Sequence, residues 1–206
     1  MRPLYAILLD GGFMRTNLQR RADTGFSAEA IVNECDRLRK HESVAGYELL
    51  RIFYYDSLPT DADLVSPVSE QPYKVLSDRR FSGTKPLLDK LILQQDFALR
   101  IGELSVGQQS WRLKSTVVKK LAKAPRPLTD DDFTLNAQQK GVDMRIGMDM
   151  ARLALRQMVR AVIVVTGDTD FVPAFKFVRR EGVRVVLDLL GEKGRTTLKQ
   201  HSDLVI

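Results

Sequence analysis

The sequence predicts an α/β fold: a Rossmann-like, mainly parallel sheet flanked by helices. Three observations predict it. Short β-branched or aliphatic runs recur along the chain, as at Leu4–Leu9, Leu49–Tyr55, Val162–Val165 and Val183–Leu189, and such runs read as strands buried on both faces. Stretches with helical apolar spacing alternate with them, which is the signature of βαβ units. Two of the runs end on an aspartate followed or preceded by glycine, at Asp10-Gly11-Gly12 and Gly167-Asp168. In open α/β sheets ligands bind outside the carboxyl ends of the strands.

Composition bounds the answer. At 206 residues, a single domain over 1–206 with an insertion at about 105–130 is the simplest expectation. Hydrophobic residues make up 44% of the chain, enough for a packed core. No apolar run approaches membrane-spanning length, so no membrane partner is expected. Met1-Arg2-Pro3-Leu4 runs straight into a strand pattern and leaves no room for a signal peptide. A single cysteine, Cys35, excludes an internal disulfide framework and fits a cytoplasmic protein. With His41 and His201 as the only imidazoles, a structural zinc site is excluded in practice. Any metal must sit on oxygen ligands, which favours Mg²⁺ or Mn²⁺. The balance of 32 basic to 26 acidic residues and a pI near 9.5 point to a polyanionic partner. A homo-oligomer stays open.

The elements follow in order. Leu4–Leu9 is the first strand, and the glycines after Asp10 either permit close approach of a ligand or form an ordinary turn. Ser27 caps a helix from Ala28 to about His41, with Ile31, Cys35 and Leu38 inward. Leu49–Tyr55 is a second strand, and the chain to Pro72 reads as loop. Lys85 to about Phe97 has a helical pattern in Leu87, Leu88, Leu91 and Ile92, and Leu99–Leu104 begins another strand.

Ser105–Thr129 differs from its surroundings. It holds Arg112, Lys114, Lys119, Lys120, Lys123 and Arg126, no acidic residue, and Trp111, the only tryptophan. A basic segment with an aromatic side chain tracks a phosphate backbone and stacks a base. The plainer reading is a solvated hairpin with Trp111 buried beneath it.

Phe133–Gln139 reads as a strand, and a helix runs from about Asp143 to Met158 with Ile146, Met150, Leu153 and Ala154 apolar. Asp149 lies six residues beyond Asp143, about 240° around the helix. The two carboxylates therefore point apart, and Asp149 has Arg145 and Arg152 as partners on its own helix. Val162–Val165 is followed by Gly167, Asp168 and Asp170, then by Phe171, Ala174, Phe175 and Val178 at helical spacing. Asp168 caps that helix in the plainer reading. If the first strand and Val162–Val165 are neighbours, Asp10 and Asp168 converge at one edge. Asp143 opens the helix that feeds the second of these from the opposite end, so it needs a bend or a long reach to join them. A last strand at Val183–Leu189 precedes a short helix around Thr196–Gln200.

Asp10-Gly11-Gly12, Lys140-Gly141-Val142-Asp143, Asp149-Met150 and Thr166-Gly167-Asp168-Thr169-Asp170-Phe171-Val172-Pro173 occur in this order, and together they resemble the NYN family, a branch of the PIN-like nucleases. Tyr54-Tyr55-Asp56 with Pro59, and Ser202-Asp203, add to the likeness. The resemblance implies a carboxylate pocket holding Mg²⁺ or Mn²⁺ and a metal-dependent endoribonuclease, with RNA, single-stranded, as the substrate. On it, Asp10, Asp143 and Asp168 are the metal-site acids, Asp170 a further catalytic acid and Asp149 an additional acid. Many members carry Asn where this chain has Phe13, which removes a polar side chain at that position. Three alternatives stand beside this one. The first is a non-catalytic RNA-binding module of the same fold. The second is a haloacid-dehalogenase-like phosphatase, disfavoured because that nucleophile needs a second Asp two residues on and Asp10 is followed by Gly11 and Gly12. The third is a response-regulator receiver, which wants an acidic pair after the first strand.

Overall fold

The computed structural model describes residues 2–21, 26–78 and 80–206, with the side chains of Arg21 and of residues 107–109 outside that description. The chain divides into two compact units. The first comprises residues 1–56, 86–102 and 141–206, and the second residues 57–85 and 103–140. The basic stretch expected as an insertion falls in the second, together with residues 57–85.

The first unit is built on strands β1 (Leu4–Asp10), β2 (Glu48–Leu58), the opening of β5 (Phe97–Leu113), β7 (Ala161–Val165), β8 (Arg184–Asp188) and β9 (Leu204–Val205). Their order across the sheet is β5-β2-β1-β7-β8-β9. β1 pairs in parallel with both β2 and β7, β7 with β8, and β8 with β9. The expected parallel α/β sheet is thus present. Because side chains alternate across a strand, each central strand feeds two cores. Ile7, Leu9, Ile163, Val165 and Tyr54 face one way and pack on helices α1 (Gly11–Arg21), α2 (Ala28–Arg39) and α3 (Thr84–Leu91). Leu8, Val162, Val164, Val185 and Leu187 face the other, against α5 (Val142–Leu155), α6 (Val172–Arg180) and α7 (Thr196–Gln200). Ser27 caps α2 as expected, its side chain accepting from the Ala30 amide.

Two elements differ from the sequence reading. The glycines after Asp10 open helix α1 rather than a turn. A Cβ at Gly11 would lie 2.5 Å from the Tyr55 carbonyl oxygen and 2.8 Å from the Tyr54 hydroxyl, so the glycine lets α1 start against β2. The third helix ends at Leu91 and leaves Ile92 60% exposed. The chain turns there, with Asp96 in the left-handed region at φ 66°, and Phe97 already belongs to β5.

In the second unit β5 pairs antiparallel with β6 (Phe133–Lys140), with the short helix α4 (Ser115–Leu121) between them in sequence. The stretch read as loop holds a small antiparallel pair, β3 (Asp63–Val65) and β4 (Pro72–Lys74). A separate small core of Val75, Leu104 and Leu135 lies here, with Leu64, Phe81 and Trp111 packed on it.

Gly11→Ala should destabilise the protein by about 1–3 kcal/mol, the usual cost of overpacking, because the backbone carbonyl it meets cannot move aside. Urea denaturation checks this; an unchanged midpoint would show that α1 can shift away from β2 freely.

Candidate active site at the carboxyl edge of the sheet

The site begins with the parallel pairing of β1 and β7. Leu9 lies beside Val165, so Asp10 and Thr166 leave the sheet side by side at its carboxyl edge. Thr166, fully buried, donates its hydroxyl to Asp10 Oδ2 at 2.8 Å. The same oxygen, Thr166 Oγ1, accepts the Asp168 amide at 3.2 Å. Asp10 Oδ1 accepts the Phe13 amide from the first turn of α1 at 3.1 Å. Asp168 Oδ1 in turn accepts the Asp170 amide at 2.9 Å, so Asp168 does cap the turn that enters α6. The capping role and a place in the acidic cluster coexist.

Asp143 reaches this edge without a bend. It lies in the first turn of α5, and α5 leads into β7. α5 packs along the sheet and delivers the chain to the amino end of β7, so it runs opposite to that strand and its start lies at the carboxyl edge. The long reach expected from sequence is not needed.

The electrostatics carry the mark of this convergence. Burial pushes the Asp10 carboxyl above its ordinary pKa, and the charges of Asp143 and Asp168 push it further; the bonds from Phe13 and Thr166 oppose this. Asp143 is also raised, by burial first and then by the charges of Asp168 and Asp170. Like charges held together favour protonation in this way. Among the described residues no group of three or more His, Cys, Asp or Glu is arranged to hold a metal ion.

Asp149 lies away from this cluster in its bonding. Its Oδ2 accepts from the Tyr55 hydroxyl at 2.9 Å and from Arg100 Nε at 2.8 Å. Arg100 in β5, stacked over Phe53 at 4.9 Å, replaces the expected partners Arg145 and Arg152. The inward turn of Asp149 explains this: it faces the sheet, where those two helix neighbours do not follow.

Sequence reading missed Thr166 as a site residue. The signal was a hydroxyl at the end of an apolar strand, one residue before a glycine. Asp56 had appeared only as part of a motif. It is buried at the end of β2, bonded to Arg15 Nη2 at 2.8 Å and to the Tyr54 hydroxyl at 3.1 Å. Asp188 ends β8 in the same way, buried and bonded to Arg37 and to the Leu190 amide. Phe13, at the position where the resemblance has Asn, packs its ring over Gly167, where an added Cβ would lie 2.5 Å from Phe13 Cε2.

In the second unit, Trp111 is half-buried and edge-on to Tyr73, ring centres 4.8 Å apart. Its indole N–H donates to the Val65 carbonyl at 2.7 Å. Arg112, Lys119, Lys120 and Lys123 are exposed, whereas Lys114 donates to the Asp131 carbonyl and Arg126 is engaged by Asp132.

Comparison with known proteins places these observations. A family model, the NYN domain, matches residues 104–204. The resemblance read from the motifs is shown. The NYN match contains Asp143, Asp149, Asp168 and Asp170, while Asp10 lies before it. NYN proteins are nuclease-like in character, and on that ground a nucleic acid and a divalent metal belong to the family picture. The chain is also similar in structure to a protein of unknown function from Vibrio parahaemolyticus, with a TM-score of 0.54 and 15% identity over 100% of this chain and 92% of that one. This likeness concerns the fold. Comparison with curated proteins gives no match. No helix among the described residues is long and apolar enough to cross a membrane.

Thr166→Val keeps the shape and removes both bonds made by the hydroxyl. It should cost about 1–3 kcal/mol, the penalty for unsatisfied buried groups. The sign with pH is defined. Asp10 has a raised folded-state pKa, so its contribution to stability is fully present below its unfolded value and is lost as pH rises through the folded one. Losing the Thr166 donor raises that pKa further. The stability gap between wild type and variant in chelator should therefore widen from acid to neutral pH, and a gap independent of pH would break the Thr166–Asp10 link.

Proposed function

We propose that the chain is a divalent-metal-dependent endoribonuclease that hydrolyses phosphodiester bonds of single-stranded RNA at Asp10, Asp143 and Asp168, with Asp170 beside them. The observation that carries the reading is that Asp10, Asp168 and the first turn of α5 with Asp143 meet at the carboxyl edge of a parallel sheet, Asp10 and Asp168 joined through Thr166, close enough for Asp10 and Asp143 to feel the neighbouring charges. Burial and the neighbouring negative charges disfavour ionisation of Asp10 and Asp143, and a divalent cation would remove that penalty. The donor set is all oxygen, which suits Mg²⁺ or Mn²⁺. Such an ion is usually held by one or two carboxylates, with water and substrate phosphate completing its shell, so a closed cage of three acids is not required. When bound, it polarises a phosphoryl oxygen and lowers the pKa of water, supplying the nucleophile for a hydrolase.

The chain's own groups do the rest. Phe13 N–H and Thr166 Oγ1 each occupy one oxygen of Asp10, which fixes the plane of the carboxylate and leaves lone pairs directed out of the sheet. The amide of Asp170 orients Asp168 in the same manner. Asp143 enters from a different element, α5, so the acids approach a phosphate from more than one side. No histidine or serine nucleophile is needed.

The second unit carries a basic surface of its own that suits a nucleic-acid strand: Arg112, Lys114, Lys119, Lys120 and Lys123. Trp111 keeps its N–H on Val65, so any base stacks on the open part of a ring already held in place. The localisation consistent with this role is cytoplasmic.

Asp168→Asn should abolish Mn²⁺-supported cleavage of single-stranded RNA while leaving metal-free thermal stability level or higher, since Asn still caps the turn and one charge leaves the cluster. Cleavage at wild-type rate would end the catalytic assignment. A wild-type chain that binds RNA alike with and without metal and never cleaves it would be a binding module of the same fold.

Lys119, Lys120 and Lys123 changed together to Ala should weaken RNA binding across sequences and flatten its logarithmic salt slope by about two, at ~0.7 per phosphate contact on a single strand. Fluorescence anisotropy at several salt concentrations reads both. Unchanged affinity and slope would identify the segment as a solvated hairpin.

A further inference from the structure

The amino edge of the same sheet carries an arrangement that the acidic cluster does not use. A cavity of about 760 Å³ opens there, lined by Lys176, Arg179 and Arg180 of α6, Arg184 at the start of β8, His201 after α7, and Asp203. Asp203 is the only carboxylate in that lining. It is already spent: one oxygen accepts from Arg179 Nε at 2.8 Å and the other from the Val185 amide at 2.8 Å. Lys176, Arg180 and Arg184 are exposed, and no carboxylate pairs with them among the described residues. Partial desolvation and the charges of Lys176 and Arg179 hold His201 below its ordinary pKa, as expected beside positive charge.

A bland account exists for part of this. Cations in the last turn of a helix complement its negative end, and Arg179 and Arg180 lie in the last turn of α6. That account does not reach Arg184, which stands on a strand, or Lys176, which lies one turn earlier. With Arg179 engaged by Asp203, three further cations from two elements, Lys176, Arg180 and Arg184, make a polyanion site rather than a helix-end correction. α6 begins beside Asp168 and Asp170 and ends at this cavity, about 13 Å along its axis at 1.5 Å per residue.

We propose that the Lys176–Arg180–Arg184 cavity is an exosite for the phosphodiester backbone of a single-stranded nucleic acid, holding the strand at the edge of the sheet opposite the acidic cluster. This rests on the nuclease reading for its substrate, but the strand-binding site itself does not depend on cleavage. An acidic pocket repels the phosphates it must engage, and a separate cationic anchor on the same compact unit offsets that repulsion. The lysine and arginine contacts are to backbone, so binding is independent of base sequence.

The test uses a fluorescein-labelled single-stranded RNA and full-length protein in chelator, so that binding is read without turnover. The variant combines Lys176→Ala, Arg180→Ala and Arg184→Ala; Arg179 is left in place because it pairs with Asp203. The dissociation constant should rise tenfold or more, and the logarithmic salt slope should fall by about two. A charge-preserving variant, Lys176→Arg with Arg180→Lys and Arg184→Lys, should bind within a few-fold of wild type, which separates charge from damage to the fold. Unlabelled polyuridylate should displace the probe at far lower phosphate concentration than inorganic phosphate does. Unchanged affinity and slope in the alanine variant would overturn the exosite. Equal potency of polymer and free phosphate, counted per phosphate, would overturn the strand reading in favour of a small-anion pocket. If the alanine variant loses binding while the wild type cleaves nothing in Mn²⁺, the exosite stands and the nuclease reading falls.

Discussion

One hydroxyl ties the candidate site to the fold. Thr166 sits at the end of the most buried strand, and its oxygen both donates to Asp10 and accepts from the Asp168 amide. The two acids come from opposite ends of the chain. They are held in register because β1 and β7 pair directly, and because a fully buried hydroxyl has no water to turn to. Everything at this edge depends on that pairing: the exit of α1 beneath Gly11, the entry of α6 under the Asp168 cap, and the arrival of α5 with Asp143.

The cost of the arrangement is electrostatic. Asp10 and Asp143 carry raised pKa values, and burial is the first cause in both. A structural role alone gives no reason to gather these acids where each disfavours the next. Asp56, Asp149 and Asp188 show the contrast. Each is held by an arginine, Arg15, Arg100 and Arg37 respectively, so each is neutralised within the fold. Asp10 and Asp143 differ in having no arginine among their hydrogen-bond and ion-pair partners within the described residues, and Asp10 relies on the Phe13 amide and the Thr166 hydroxyl instead. The cavity at the amino edge has the complementary character, with cations that outnumber the single carboxylate in its lining.

Much of this was legible in the chain because strands and helices impose different periods on apolar residues. The run at Val162–Val165 reads as a doubly buried strand, and Phe171, Phe175 and Val178 fall at helical spacing on one side. What pattern could not show were partners distant in sequence. Asp149 looked suited to Arg145 or Arg152 because helix spacing is all that a local reading sees; its actual partner, Arg100, comes from a strand 49 positions away. Trp111 beside a run of cations reads as a stacking platform, with a buried core residue as the plainer alternative. Its bond to the Val65 carbonyl and its seat on a small core needed a hairpin that the intervening loop-like sequence concealed.

By itself, then, the sequence determined the parallel α/β class, the strand-end positions of Asp10 and Asp168, and the likeness to NYN proteins, because burial periodicity and short motifs are local properties of a chain. Tertiary structure alone decided that the paired glycines open a helix, that Asp143 arrives without a bend, that Thr166 joins the acids, and that Lys176, Arg180 and Arg184 share one cavity. Each of these depends on which strand lies next to which. That order is set by long-range packing, and no window along the chain contains it.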